Sequence, residues 1–198
     1  MIFLKKFLFL DDINKVISEN ICRIKNISII ILINPSEKNN QTKKNRFYEI
    51  IHFCKSNNLP FFVSDNCKLA IKTKAKGVYL TSSNRKIIYK NLKKNITIIG
   101  TAHNQIEYYF KKKQNCSLIF LSPFFLTNKF TINKVLGPLK FNLITNTWKT
   151  DLGCLGGVTT DNYKKIKLTK ANSVGFKSLI YKEEIKKPVY FKSRRVLN

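Results

Sequence analysis

The stretch Ile27-Ser28-Ile29-Ile30-Ile31-Leu32-Ile33 holds a single polar residue among seven. Its β-branched side chains favour extended backbone, and a run without polar alternation suits a strand covered on both faces, as in a parallel sheet between helical layers. It is far shorter than the roughly 20 apolar residues a membrane span needs. Upstream, residues 6–10 read as a first strand, and Asp11 or Asp12 caps a helix whose Ile13, Val16, Ile17 and Ile21 follow helical spacing. Downstream, a polar loop over 34–41 leads into a helix with the apolar stripe Phe47, Ile50, Ile51 and Cys54.

The same alternation continues to the other end of the chain. Pro60 opens a third strand at 61–63, followed by a short helix over 69–73 and a fourth strand at 78–80. Residues 97–100 make a fifth, and Ile106, Tyr109 and Phe110 form the buried stripe of the next helix. Residues 118–121 are a sixth strand, ending in a loop around Pro123. Residues 152–155 and 173–176 are the seventh and eighth, with a helix carrying Tyr163 and Ile166 between them. Eight strands with intervening helices imply an α/β fold, a small (β/α)8 TIM barrel of parallel strands formed as one domain over residues 1–198. The pattern alone also admits a doubly wound open sheet. The seventh strand is entered through Lys149, Thr150 and Asp151, and Pro188 interrupts the last helical stretch.

Composition narrows the function classes. The formal net charge is +26, which in clustered form would point to nucleic acid through counterion release. Here the lysines are spread along the whole chain, and no basic helix, stacking-aromatic motif or arginine-rich segment accompanies them, which argues against a nucleic-acid partner. The five cysteines, Cys22, Cys54, Cys67, Cys116 and Cys154, show no CxxC spacing and sit mostly in apolar stretches, as small buried hydrophobes of a reducing compartment do. His52 and His103 are not spaced as a zinc pair. The apolar runs at the amino terminus are too short for a secretion signal, so the expectation is a cytoplasmic protein with no membrane partner. Homo-oligomer formation is left open.

Several constellations carry chemistry. Leu155-Gly156-Gly157-Val158-Thr159 lies where a strand passes into a helix; glycines there let the backbone approach an anion, and a helix amino terminus offers it free N–H groups. A plain tight turn is the competing reading, and Ser178 just beyond the eighth strand favours phosphate, since barrels bind phosphate with the loops after strands seven and eight. Asp65, after Ser64, ends the third strand as a magnesium ligand or as a helix cap. Thr101-Ala102-His103 follows the fifth strand; His103 has no carboxylate or thiol partner evident in the sequence, which favours a role in starting the next helix. The loop Ser122-Pro123-Phe124-Phe125-Leu126-Thr127-Asn128-Lys129 combines a hydroxyl with a cation, a pairing suited to a small phosphorylated substrate.

In order, these motifs resemble the thiamine phosphate synthase family and its close relative, the thiazole tautomerase family, best between about residues 60 and 180. Ser64-Asp65 stands where the family has Asn-Asp, and Thr101-Ala102-His103 is similar to its Ser-Ala-His. Thr127 and Lys129 match its phosphate and diphosphate contacts, Gly156-Gly157-Val158-Thr159 its Gly-Gly-Ile-Thr, and Ser178-Leu179-Ile180 its Ser-x-Ile. Leu136-Gly137 falls where the family opens its sixth helix. The chain departs from the family at Leu32-Ile33-Asn34-Pro35-Ser36, where a Gln-x-Arg-x-Lys pattern is usual, leaving Lys38 or Lys43 to supply a cation. It departs again after the fourth strand, where Asn84 replaces a second magnesium aspartate and Ser82 a glutamine. Pro123 stands where the tautomerase branch has its histidine, which favours the synthase branch.

The resemblance implies a transferase of thiamine biosynthesis that couples hydroxymethylpyrimidine diphosphate to hydroxyethylthiazole phosphate and releases pyrophosphate. It implies Mg2+ on Asp65 and Asn84, and catalytic roles for Asp65, Lys129 and Thr101. Substrate binding would fall to Ser64, Thr127, Gly156, Gly157, Val158 and Ser178. Left open beside it are a degenerate relative that binds a phosphorylated thiazole without synthase activity and a basic nucleic-acid-binding protein.

Overall fold

The computed structural model describes residues 4–35, 40–87, 96–127 and 134–177. Its strands are β1 (Lys5–Leu10), β2 (Ile27–Ile31), β3 (Phe61–Ser64), β4 (Gly77–Leu80), β5 (Thr97–Ala102), β6 (Leu118–Leu121), β7 (Asp151–Leu155) and β8 (Ser173–Phe176). Each pairs in parallel with the next, and β8 returns to β1 through Lys5 opposite Ser173 and Leu8 opposite Phe176, so the sheet is a closed barrel. This closure rules out the open doubly wound alternative. The helices are α1 (Lys15–Cys22), α2 (Gln41–Ser56), α3 (Cys67–Thr73), α4 (Gln105–Lys113) and α5 (Gly137–Thr145), with a 3-10 helix over Tyr163–Leu168. Among the described residues no helix is long and apolar enough to cross a membrane.

The period-two alternation of strands sorts their side chains into two cores. One set, Phe7, Phe9, Ile30, Phe62, Tyr79, Ile99, Leu118 and Phe120, fills the barrel interior. The other, including Leu8, Ile29, Ile31, Val63, Val78 and Val174, packs outward against Ile17, Ile21, Phe47, Ile50 and Phe141 of the helices. The interior is mainly aromatic: Phe120 meets Phe7 edge-on with centroids 5.2 Å apart and Phe9 at 5.7 Å, and Phe9 meets Tyr79 at 5.2 Å. Two glycines make room for it. A Cβ on Gly153 would stand 2.4 Å from Phe120 Cδ1, and one on Gly175 2.7 Å from Phe9 Cε2. This explains the poor apolar character of the seventh strand: Gly153 is there for its lack of a side chain, and exposed Asp151 pairs with Lys5 of β1.

Local expectations are corrected at several points. Asn14, not Asp11 or Asp12, caps α1, accepting the Ile17 amide at 2.9 Å, while Asp12 accepts from the adjacent Ile13 amide and faces Arg46 at 3.8 Å. The face of α4 is rotated: Tyr108 and Lys111 are buried, whereas Ile106 and Tyr109 are exposed at 67% and 50%. Tyr108 gains a stacked Trp148 at 3.5 Å, a partner no helical period reveals. The segment between β7 and β8 winds as a 3-10 helix rather than an α-helix.

Truncating the residue that fills the space left by both glycines tests this packing. Phe120→Ala is expected to cost roughly 3–5 kcal/mol in urea denaturation. The thiols of Cys54, Cys116 and Cys154 and the phenol of Tyr79 supply a pH test, since burial pushes each up to about 12. Folded values above the unfolded ones favour the protonated forms, so their contribution is complete below the ordinary thiol value of 9.0 and lost as pH rises toward about 12. The urea midpoint is therefore expected to hold steady around neutrality and to fall steadily across that alkaline window.

Candidate active site

Parallel closure places every strand's carboxyl end at one mouth, where loops are free to carry chemistry. Ser64 ends β3, and its Oγ is buried without a hydrogen-bond partner among the described residues. Asp65 follows at φ +50°, a left-handed conformation that Asp tolerates better than most side chains, and its N–H donates to the Tyr79 carbonyl at 2.8 Å. The cap of α3 is Asn66, which accepts the Leu69 amide at 3.0 Å, so Asp65 is released from capping.

The Asp65 carboxylate instead gathers the loop after β4. Oδ2 accepts the Thr81 hydroxyl at 2.6 Å; Oδ1 accepts the Thr81 amide at 3.1 Å and the Asn84 side-chain amide at 2.7 Å. Asp65 and Asn84, the two residues expected to hold magnesium, are thus in direct contact, with Thr81 as a third member that the sequence did not single out. Beneath the loop lies Lys111. Its ammonium donates to the Thr81 carbonyl at 2.6 Å, the Asn84 carbonyl at 2.7 Å and Gln114 Oε1 at 3.0 Å. Burial lowers its pKa, and Cys116, Asp65 and Glu107 act in the opposite direction. Gln114, also enclosed, donates to the Asn84 and Lys86 carbonyls, each at 3.0 Å. In sequence Lys111 opens a run of three lysines, and nothing in the run separates the buried member from the exposed ones.

Thr101, at the end of β5, is buried and shares a 2.6 Å hydrogen bond with the Tyr79 hydroxyl. Its hydroxyl therefore has a protein partner in the interior. His103 does have a carboxylate neighbour, contrary to expectation: Glu107, one helical turn on, accepts the His103 amide at 2.7 Å and lies 3.1 Å from Nδ1. With Asn104 capping the Glu107 amide at 2.9 Å, this is a helix-start arrangement, as expected for His103.

The β6 and β7 loops dock on one another. Phe124 and Phe125 donate their amides to the Leu155 and Gly156 carbonyls at 2.8 and 3.0 Å, after a cis Ser122–Pro123 bond. Gly156 and Gly157 sit at φ +96° and +67°, and a Cβ on Gly157 would stand 2.4 Å from the Leu126 carbonyl oxygen. Thr127 follows directly, its Oγ1 enclosed and without a hydrogen-bond partner among the described residues. The expected helix-terminus anion site is built differently, however. Asn162 accepts the Thr159 amide at 2.8 Å and donates to the Gly157 carbonyl at 2.7 Å, so a side chain occupies the Thr159 amide in the turn ahead of the 3-10 helix. The Val158 side chain belongs to the helix-facing core, which leaves only its backbone for a ligand.

Lys129 and Ser178 lie outside the described residues, as does Lys38. On the β2 side of the mouth, Leu32 packs against the interior aromatic cluster where the departure from the family pattern begins. Beyond β8, Lys177 pairs with Asp11 beyond β1, bracing the barrel's closing seam.

Among the described residues no group of three or more His, Cys, Asp or Glu could hold a metal. The oxygen donors around Asp65 are its own carboxylate, the Thr81 hydroxyl and the Ser64 hydroxyl, while Asn84 turns its amide nitrogen to Asp65 and its oxygen accepts the Lys86 amide at 3.1 Å. That set does not cage an ion alone; it fits magnesium, which keeps several waters and takes its other ligands from substrate phosphates.

A family model described as thiamine monophosphate synthase matches residues 11–180. The thiamine-phosphate synthase of Staphylococcus haemolyticus is 26% identical over 149 residues, covering 74% of this chain and 70% of the relative. That of Flavobacterium psychrophilum is 29% identical over 139 residues, covering 66% and 68%. Among solved structures, a thiamine phosphate pyrophosphorylase from Pyrococcus furiosus superposes with a TM-score of 0.72 at 20% identity, over 94% of this chain and 92% of that one.

Gly157→Ala forces a side chain onto a left-handed residue and against the Leu126 carbonyl. It is expected to cost about 1–3 kcal/mol in urea denaturation.

Proposed function

The chain belongs to the thiamine monophosphate synthase family, and on that premise we propose that it couples hydroxymethylpyrimidine diphosphate to hydroxyethylthiazole phosphate in thiamine biosynthesis. The methylene carbon–oxygen bond to the diphosphate breaks, and its electron pair leaves with pyrophosphate. The thiazole nitrogen lone pair then closes the new carbon–nitrogen bond. Such chemistry asks the protein for charge neutralisation and alignment more than for a general base.

One observation carries the reading: among the described residues the buried hydroxyls of Ser64 and Thr127 have no hydrogen-bond partner, and both lie at the mouth, Ser64 at the end of β3 next to Asp65 and Thr127 directly after Leu126, whose carbonyl lies against Gly157. Enclosed donors without acceptors suit anionic oxygens, and the reaction brings two anionic groups. The Asp65 side, with Ser64, Asn84 and Thr101 nearby, takes the diphosphate in this proposal. Magnesium held by Asp65 and Asn84 would supply positive charge to the leaving oxygens. Gly156, Gly157 and Thr127 take the thiazole phosphate, with Val158 offering its amide. Lys129 is assigned to the diphosphate and Ser178 to the thiazole phosphate. Leu32 and Leu155, packed over the interior aromatics, give the mouth an apolar floor that keeps water from the reactive pyrimidine carbon.

Incubating the protein with both substrates and magnesium is expected to yield thiamine phosphate and pyrophosphate. Asp65→Asn should lower kcat by about a hundredfold or more while the KM for thiazole phosphate stays within about twofold. Binding of thiazole phosphate without any product would overturn the proposal.

A further inference from the structure

Lys111 is fully enclosed, yet among the described residues no carboxylate lies within ion-pair distance of it. All three of its protons go to neutral oxygens, two of them backbone carbonyls of the loop after β4. Holding a loop does not require a charge: Gln114, beside it, grips the same Asn84 carbonyl with a neutral amide. An ammonium is a costly choice for a dry site unless the charge serves something. What the loop presents on its other face is Thr81 and Asn84, both bonded to Asp65. The chain therefore layers a cation, a loop and a carboxylate, and the buried positive charge offsets that of Asp65 where a polyanion would arrive.

We propose that Lys111 is a positioning residue of the diphosphate subsite: it locks residues 81–84 from beneath in the conformation that delivers Thr81 and Asn84 to Asp65, and its charge favours the diphosphate. This rests on the assignment of the diphosphate to the Asp65 side. The barrel is shaped around the lysine stem. Gly100 of β5 lies alongside it, and a Cβ there would stand 2.8 Å from Lys111 Cδ and 3.1 Å from Cys116 Sγ. The backbone at Gly100 is not left-handed, so the absent side chain is explained by the lysine and the thiol rather than by the turn of the chain.

Two variants test this by different routes. Lys111→Met keeps an unbranched stem and removes the charge, whereas Gly100→Ala keeps the charge and presses on the stem. Pyrophosphate affinity is read by calorimetry with magnesium in excess, and the KM values of the two substrates are read separately. Lys111→Met is expected to weaken pyrophosphate and raise the KM of the pyrimidine diphosphate by about tenfold, leaving the KM of thiazole phosphate within about twofold. Gly100→Ala should shift the same two quantities by about threefold or more, and it carries the test if Lys111→Met does not accumulate as folded protein. Pyrophosphate affinity within about twofold of the parent in a folded variant, or equal rises in both KM values, would overturn the role of Lys111. Asp65→Asn separates the two levels. If it too leaves pyrophosphate binding unchanged, the subsite assignment fails; if it abolishes binding while Lys111→Met does not alter it, only the lysine's role fails.

Discussion

The packing of Phe120 into the space left by Gly153 and Gly175 is the constraint on which the rest of the molecule depends. A barrel of eight short strands has to be filled from inside, and five of its eight interior core side chains are aromatic. Rings of that size fit only if neighbouring strands give up volume, and β7 and β8 do so with glycine. Their reduced bulk lets β8 close against β1 with β7 packed beside it, and closure turns eight separate loops into one mouth. Without it, Asp65 after β3 and Gly157 after β7 would belong to distant edges of a sheet.

The same constraint explains what the sequence revealed and what it hid. Elements whose buried face follows a simple period were legible: the stripe Phe47, Ile50, Ile51 and Cys54 of α2 is buried as its spacing predicts, and the run from Ile27 forms a two-sided strand. The seventh strand was hard to read because its central residue is selected for emptiness, and an empty position carries no hydrophobic signal. The face of α4 is obscured in the sequence for the opposite reason. Ile106 and Tyr109 have the right spacing for a core, but the helix instead turns Tyr108 onto Trp148 and Lys111 under the β4 loop, and both partners lie far away in sequence.

The candidate site divides along similar lines. Asp65, Gly156 and Gly157 stand out because a strand end followed by a polar or glycine residue is a local pattern, Thr127 belongs to a loop that combines a hydroxyl with a cation, and Asn84 is singled out only by the family resemblance. Their supports do not. Thr81 is one hydroxyl among many, Lys111 one lysine in a run, and Asn162 an asparagine in a polar turn; each acquires meaning only through a partner that folding brings to it. The high net charge compounds this, since abundant lysine deprives each one of sequence contrast.

Two mouth loops achieve rigidity by different physical means, and the difference follows their proposed ligands. The loop after β6 is held by backbone contact with β7, where glycines allow the main chains to touch, so it presents Thr127 through shape. The loop after β4 is held by a buried cation and an amide from α4 on one side and by a carboxylate on the other, so it presents Thr81 and Asn84 within a balanced field. A phosphate monoester that only has to be retained is served by fixed geometry. A diphosphate that must gain charge as its bond breaks is better served where opposite charges are already in place and need not reorganise. On that argument the costlier arrangement, an enclosed ammonium, stands on the side of the barrel where the proposed bond cleavage occurs.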